Sequence, residues 1–333
     1  MKTICYIPGD GIGPELTVQT LKVLNAIGQF DFVEARAGYS CYRESGAALP
    51  KESLERALGA DAVLLSALTS PPVSLRDYRS PVLALRKELD LYANVRPCKS
   101  FPNTKSLFGG VDLTIVRENT EGLYSGVEWV EGDSAFAKRV ITKRGSERIA
   151  RYAFEYAKSR GKKKVTVVHK ANVLRKTCGL FLEAAEGVAK DYPDIAMEDV
   201  IVDAMAMRLV KHPQDFEVIV TTNLFGDILS DEAAGVVGGL GMAPAMNYGE
   251  RHAMFEPAHG SAPKYEGKNV VNPCAMILSA AMMLDYIGER EKGLRLEKAV
   301  RLTMEEGRAL TMDLGGSAKT SEMADEIIRN YDR

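Results

Sequence analysis

Short apolar runs alternate with longer amphipathic ones along most of the 333 residues. Thr3–Ile7 is a mostly apolar run of the kind a buried strand carries. It ends at Pro8-Gly9, and Gly9–Gly13 reads as the turn after it. From Pro14 to Ile27 the spacing becomes helical, with Leu16, Val18, Leu21, Val23 and Leu24 apolar. The same pattern predicts strands at Phe32–Ala37, Ala62–Leu65, Leu113–Val116, Val165–Val168 and Val218–Thr222. It predicts helices at Ser80–Asp90, Glu147–Lys158 and Ala275–Ile287, the first with Pro81 where a helix start tolerates it. Strands alternating with helices imply an α/β fold with a large, mostly parallel sheet. Boundaries near Pro97–Pro102 and Gly238–Pro244 make the first domain discontinuous, residues 1–98 plus 245–333, around a second at 99–244.

Composition narrows the function classes. Lys plus Arg is 43 and Asp plus Glu is 45, a formal net charge of −2. That removes the global field that would draw nucleic acid or an anionic membrane, so any bound anion must be held by local cations. The five cysteines are scattered and form no CxxC pair, which speaks against a disulfide framework or a zinc site and fits a reducing cytoplasm. The start, MKTICYIPGDG, lacks the long apolar region of a signal peptide, and no apolar stretch reaches membrane-spanning length.

Four clusters carry candidate chemistry. Gly9-Asp10-Gly11-Ile12-Gly13 follows a strand and opens a helix, but its spacing is GxGxG, and no acidic residue ends a second strand at the usual distance. The dinucleotide fingerprint is therefore absent, and a tight turn and a ligand contact both remain open. Asp227 and Asp231 lie one helical turn apart, so both carboxylates share a face. A divalent cation would relieve their repulsion; an acidic first turn favoured by the helix dipole is the alternative. Arg86, Arg96 and Arg117 sit in apolar surroundings and suit bidentate carboxylate binding, unless Glu88, Asp90, Glu118 or Glu121 pairs with them. Lys170 follows a strand, where burial or cations can make it a proton acceptor. The run Glu256 to Tyr265 reads as a loop whose N–H groups and Lys264 can hold a phosphate.

Taken in order, PGDGIGPE, LRKELDLYANVRP, VRENTEGLY, HKANVL, TTNLFGDILSDEAAG, GGLGMAP, FEPAHGSAP and DLGG resemble the β-decarboxylating dehydrogenases. These are the isocitrate, isopropylmalate and homoisocitrate dehydrogenases, and the resemblance runs from about residue 4 to about residue 325. It implies a two-domain α/β fold of the isopropylmalate dehydrogenase type, without a GxGxxG loop, in a homodimer or higher homo-oligomer with shared active sites. It implies a malate-type 2-hydroxy acid as substrate. On that resemblance Arg86, Arg96 and Arg117 bind the carboxylates of the malate core, and Asn172 joins the substrate set. Asp227 and Asp231, with Asp203 of a neighbouring copy, hold Mg²⁺ or Mn²⁺. Lys170, also from the neighbour, is the base for the C2 hydroxyl, and Tyr124 protonates C3 after CO₂ leaves.

For the cofactor, the resemblance points to Ile12, Thr69, His259, Gly260, Ser261, Ala262, Lys264, Tyr265 and Asn272. Lys264-Tyr265 resembles the pair of NADP-dependent members, where NAD-preferring ones carry an Asp. NADP is therefore expected over NAD, although Met312 and Gly316 stand where NADP enzymes often add a Tyr and an Arg. The substrate tail should meet Arg79, Ser80, Val82 and Leu83. The stretch LTSPP…DYRSPVLALRK resembles homoisocitrate dehydrogenases, with breadth towards isocitrate. Val82 and Leu83 would also suit an isopropyl group, which keeps 3-isopropylmalate as the alternative. An intact Tyr124, Lys170 and aspartate set speaks against a non-catalytic regulatory subunit.

Overall fold

A computed structural model describes residues 1–71, 75 and 77–333, so the last residue of the LTSPP stretch lies outside the described residues. The first elements are β1 (Thr3–Ile7), α1 (Gly13–Ile27), β2 (Asp31–Glu34), α2 (Tyr39–Ser45), α3 (Lys51–Gly59), β3 (Ala62–Leu65) and α4 (Pro81–Glu88). Then come β4 (Ala93–Lys99), β5 (Asp112–Glu118), β6 (Glu128–Glu131), β7 (Ser134–Ala137), α5 (Lys143–Ser159) and β8 (Lys164–His169). They are followed by α6 (Thr177–Ala189), β9 (Ala196–Ile201), α7 (Val202–Lys211), β10 (Val218–Thr221) and α8 (Asn223–Val236). The chain ends with β11 (Pro244–Tyr248), β12 (Ala253–Pro257), α9 (Cys274–Tyr286), α10 (Arg290–Glu306) and α11 (Thr320–Tyr331).

Two compact units result. The first is Met1–Leu91, Phe101–Ser106 and Gly238–Arg333; the second is Tyr92–Ser100 and Leu107–Val237. The division thus falls at 91/92 and 237/238, rather than at 98/99 and 244/245, with a short return at 101–106. The reason is pairing: β4 runs antiparallel to β5 from Ala93–Glu118 to Lys99–Asp112, which draws the segment after Leu91 into the second unit.

In the first unit the strand order is β2-β1-β3-β12-β11, parallel except for β11, which is antiparallel to β12. β1 and β3 are almost wholly buried and read as apolar runs because strands of a parallel sheet are covered on both faces. Cys5, Ile7, Val63, Leu65, Leu85, Leu89, Leu91 and Met254 form one core cluster there. Helix α1 begins with Pro14 at its first turn, and Leu16, Val23 and Leu24 are buried, but Val18 is 60% exposed. Thr17 and Thr20 share the buried face instead; Thr17 Oγ1 returns its hydrogen bond to Gly13 O at 2.9 Å, so burial leaves it satisfied.

The second unit has the order β4-β5-β10-β8-β9, again parallel except for β4. Its core joins Leu113, Ile115, Val168, Met205, Leu209, Phe216, Ile219 and Leu229. β6 and β7 form a separate exposed hairpin on which the rings of Trp129 and Phe136 stack, 5.3 Å between centroids. Among the described residues no helix is long and apolar enough to cross a membrane.

Candidate active site

A dense polar cluster is built at the end of β5 in the second unit. Strand register places Arg117 beside Asn94 of β4 and Thr221 of β10. The chain leaves β10 and enters α8 at once, so Asn223, Asp227 and Asp231 follow one another along that helix. Arg117 is 1% exposed. Its Nε and Nη2 donate to Asn223 Oδ1 at 2.9 and 2.7 Å, and Nη1 donates to Asp227. The Tyr124 hydroxyl donates to the other oxygen of Asp227, and the Arg117 guanidinium lies 4.9 Å from the Tyr124 ring centroid. Arg96 completes the group: Nε donates to Asn94 Oδ1 at 2.8 Å and Nη1 to Ser230 Oγ at 2.7 Å. Arg96 also spans both acids, 3.0 Å from Asp231 and 3.4 Å from Asp227.

This geometry answers the pairing question. Arg117 pairs with Asp227 and Asn223. Glu118 accepts from Thr120 and from the Glu121 N–H, and Glu121 from Thr142. Two buried guanidiniums are held by neutral Asn94, Asn223 and Ser230 and by partly exposed acids, so their donors stay aimed at one place. Burial, and then the bond to Asp227, push the Tyr124 phenol above its ordinary range, so it stays protonated at neutral pH. Burial likewise raises the Asp231 carboxyl, against the pull of Arg96. Asp227 and Asp231 keep 34% and 55% of their side-chain surface, and their oxygens suit a hard cation such as Mg²⁺ or Mn²⁺.

Lys170 and Asp203 stand as a pair of their own, Lys170 donating to Asp203 and holding its carboxyl below the usual range. Among the described residues no three His, Cys, Asp or Glu side chains gather closely enough to hold a metal, so Asp203 does not join Asp227 and Asp231 within this chain. His169, just before Lys170, is fixed from both sides: the Ala171 N–H donates to Nδ1 at 3.0 Å and Nε2 lies 3.0 Å from Asp199. That assigns the proton to Nε2 and rigidifies the turn carrying Lys170. Asn172 is exposed on the same turn.

In the first unit, Ile12, His259, Gly260, Ala262, Tyr265 and Asn272 line one cavity of about 410 Å³. Sequence reasoning missed other parts of its wall, Gly241, Val270, Val271 and Asp313, which lack a recognisable side-chain signature. Asn272 Nδ2 donates to Asp313 at 3.1 Å, and Thr311 donates to its other oxygen. Burial holds the His259 imidazole below its ordinary range, and Nδ1 lies 3.0 Å from Gly260 O. Ser261 and Thr69 sit behind the wall, their hydroxyls 2.6 Å apart, while the Ile12 N–H donates to Ser261 O at 2.9 Å. The glycine-rich turn is thus structural and lining at once. Asp10, 3% exposed, accepts the N–H groups of Tyr39, Ser40 and Thr69 at 2.8–2.9 Å. Gly11 adopts φ +57°, and a Cβ there would strike Ser261 O, so no other residue fits. Lys264 is exposed, 4.8 Å from the Tyr265 ring centroid, with Lys268 at 5.9 Å from the same ring, a second cation the sequence reading overlooked.

Arg86, on α4, pairs with Glu256 at 3.0 Å rather than with Glu88 or Asp90. Ser80 caps the same helix, accepting from Leu83 N at 3.5 Å. Val82 and Leu83 diverge: Val82 packs against the core of the first unit, while Leu83 is 43% exposed; Arg79, beside the cap, is exposed too.

Comparison with known proteins agrees with this chemistry. The isocitrate/isopropylmalate dehydrogenase family matches residues 3–327. The homoisocitrate dehydrogenase of Methanocaldococcus jannaschii is 50% identical over 345 residues, covering 100% of this chain and 98% of the relative. The 3-isopropylmalate dehydrogenase of Archaeoglobus fulgidus is also 50% identical, over 333 residues and the whole of both chains. The crystal structure of isocitrate dehydrogenase from Methylococcus capsulatus superposes with a TM-score of 0.96 at 46% identity, covering 100% of each chain. Members use NAD or NADP with Mg²⁺ or Mn²⁺ and oxidatively decarboxylate small malate-type acids. The chain belongs to the isocitrate/isopropylmalate dehydrogenase family and is an NAD(P)-dependent β-decarboxylating dehydrogenase.

Proposed function

We propose that this enzyme oxidises and decarboxylates homoisocitrate, with breadth towards isocitrate, using NADP in preference to NAD, as a cytoplasmic homodimer or higher homo-oligomer. The observation that carries the chemistry is the convergence of Arg96, Arg117 and Tyr124 on Asp227. A bound nicotinamide would supply the hydride acceptor for C2, and a cation held by Asp227 and Asp231 would supply Lewis acidity at the C2 oxygen. Arg96 and Arg117 grip carboxylate oxygens of the malate core, and Arg86 takes another. Asp227 and Asp231 would hold the cation, with Asp203 of a second copy. The Lys170 amine of that copy accepts the proton of the C2 hydroxyl, and the Tyr124 phenol returns a proton to C3 once CO₂ has left. The raised phenol supports the donor role. The exposed apolar hairpin around Trp129, Val130 and Phe136 supports assembly from two copies.

For the substrate tail, Val82 packs partly buried against the core of the first unit, which weakens the apolar wall an isopropyl group would want. Arg79 and Ser80 remain to meet a distal carboxylate. Leu83, exposed and apolar, favours 3-isopropylmalate as the second reading. Kinetics of the pure protein with the three acids test this: homoisocitrate should give the highest kcat/KM and isocitrate measurable turnover. Turnover of 3-isopropylmalate alone means that Arg79 faces away; turnover of none overturns the whole reading.

Lys264 and Lys268 around Tyr265 support the NADP preference, because cations beside the ribose attract a 2′-phosphate that an aspartate would repel. Lys264→Asp is expected to lower the NADP-to-NAD ratio of kcat/KM by at least about tenfold. An unchanged ratio would assign the preference elsewhere.

A further inference from the structure

We infer that Glu256 and Asn247 form a positioning relay that aims the Arg86 guanidinium at a substrate carboxylate. The inference rests on the proposed function, deepening the role given there to Arg86. Arg86 is 8% exposed, on α4. One of its nitrogens, Nη2, is 3.0 Å from Glu256 Oε1. Its Nε is buried and has no hydrogen-bond partner among the described residues. A buried charged donor with nothing to donate to is costly and calls for an explanation, and in a residue proposed to bind substrate a ligand that completes it supplies one. The guanidinium is planar, so fixing Nη2 from one direction fixes where Nε–H points.

Glu256 is itself held. It lies on β12 opposite Ala245 of β11, and Asn247, two residues along β11 on the same face, reaches it diagonally. Asn247 is fully buried and donates from Nδ2 to the same Oε1 at 2.7 Å. The Glu256 carbonyl accepts from Ser279 Oγ of α9 at 2.9 Å, which pins the backbone as well. A single carboxylate oxygen therefore receives both Asn247 and Arg86, leaving the rest of the guanidinium for an incoming anion. Glu256 does not touch the substrate in this scheme; it acts through Arg86.

The test is kinetics and substrate binding with three variants of the full enzyme. Glu256→Ala removes the anchor and should raise KM for the hydroxy acid about 10–100-fold, the worth of one misaimed charged hydrogen bond. Its kcat should change far less, and KM for the nicotinamide cofactor should not change. Glu256→Gln keeps an oxygen for both donors and should restore most of the affinity. Asn247→Ala, which frees Glu256 without removing it, should give an intermediate rise and covers the case in which Glu256→Ala does not fold. Binding of the acid with Mg²⁺, read by calorimetry without cofactor, should follow the same order. An unchanged KM for the acid in Glu256→Ala or Asn247→Ala overturns the relay, as does an equal rise in KM for the cofactor. So does a defect that Gln does not rescue. If wild-type enzyme turns over none of the acids, the proposed function has failed instead, so the two failures are distinguishable.

Discussion

Asp227→Asn is expected to cut turnover by about 10³-fold, the cost of removing one preorganised charge from an active site. Asp227 is the point on which Arg117, Arg96 and Tyr124 meet, so the substitution removes a proposed metal ligand and the counter-charge of two buried guanidiniums together. Breaking a fully buried pair costs about 3–5 kcal/mol; with a third of the Asp227 side chain exposed, solvent screening reduces this to about 2–3 kcal/mol. Urea denaturation measures that loss. Asp231→Asn supplies the contrast, because 55% of that side chain is exposed: activity should fall comparably, but stability by less than about 1 kcal/mol. A pH signature follows too. The Asp227 carboxylate opposes ionisation of Tyr124 and Arg117 favours it. With Asn at the position, burial and Arg117 act on the phenol without the opposing carboxylate, so the alkaline limb of any residual activity should move to lower pH. Wild-type activity in Asp227→Asn would remove this residue from the mechanism.

Gly226→Ala should be nearly as damaging, although it touches no reacting atom. A Cβ at position 226 would lie 2.6 Å from Arg117 Cβ and 2.7 Å from its Cγ. These atoms belong to the stem of a residue anchored at both ends, by strand pairing and by Asn223, so they cannot swing aside. Alanine favours a helix over glycine by about 1 kcal/mol, but overpacking a tight contact costs about 1–3 kcal/mol or more. We expect a net loss of about 1–2 kcal/mol and a fall of about 10²-fold in kcat/KM, because a small displacement of a positioning group costs that much. Kinetics and a thermal melt check it. A stabilised, fully active variant would show that α8 can lift off β5 at no cost.

Much of the framework was legible before any coordinates. β1 and β3 have the predicted bounds because a buried parallel strand is a bare apolar run with a turn at each end. Elements with weaker signals escaped. β4 contains Asn94, Arg96 and Pro97, residues that break the strand pattern because Asn94 and Arg96 serve the polar cluster. α3 and α7 are short and mix exposed charge with few buried positions. In α1, Val18 looked like core and Thr20 did not, because periodicity ranks hydrophobicity and cannot see which face the neighbouring helix covers. Val82 is the same case at the proposed substrate tail.

Read alone, the chain determined the α/β class, the kinds of chemistry at hand and the family, since strand and helix periods and ordered motifs are local properties. Only the tertiary structure decided who partners whom. Arg117 finds Asn223 across 106 residues, and Arg86 finds Glu256 across 170, past the nearby acids that spacing offered. Such choices depend on which strands pair and which helix lands on them, and closing those long loops is repaid by the whole packed unit rather than by any one contact.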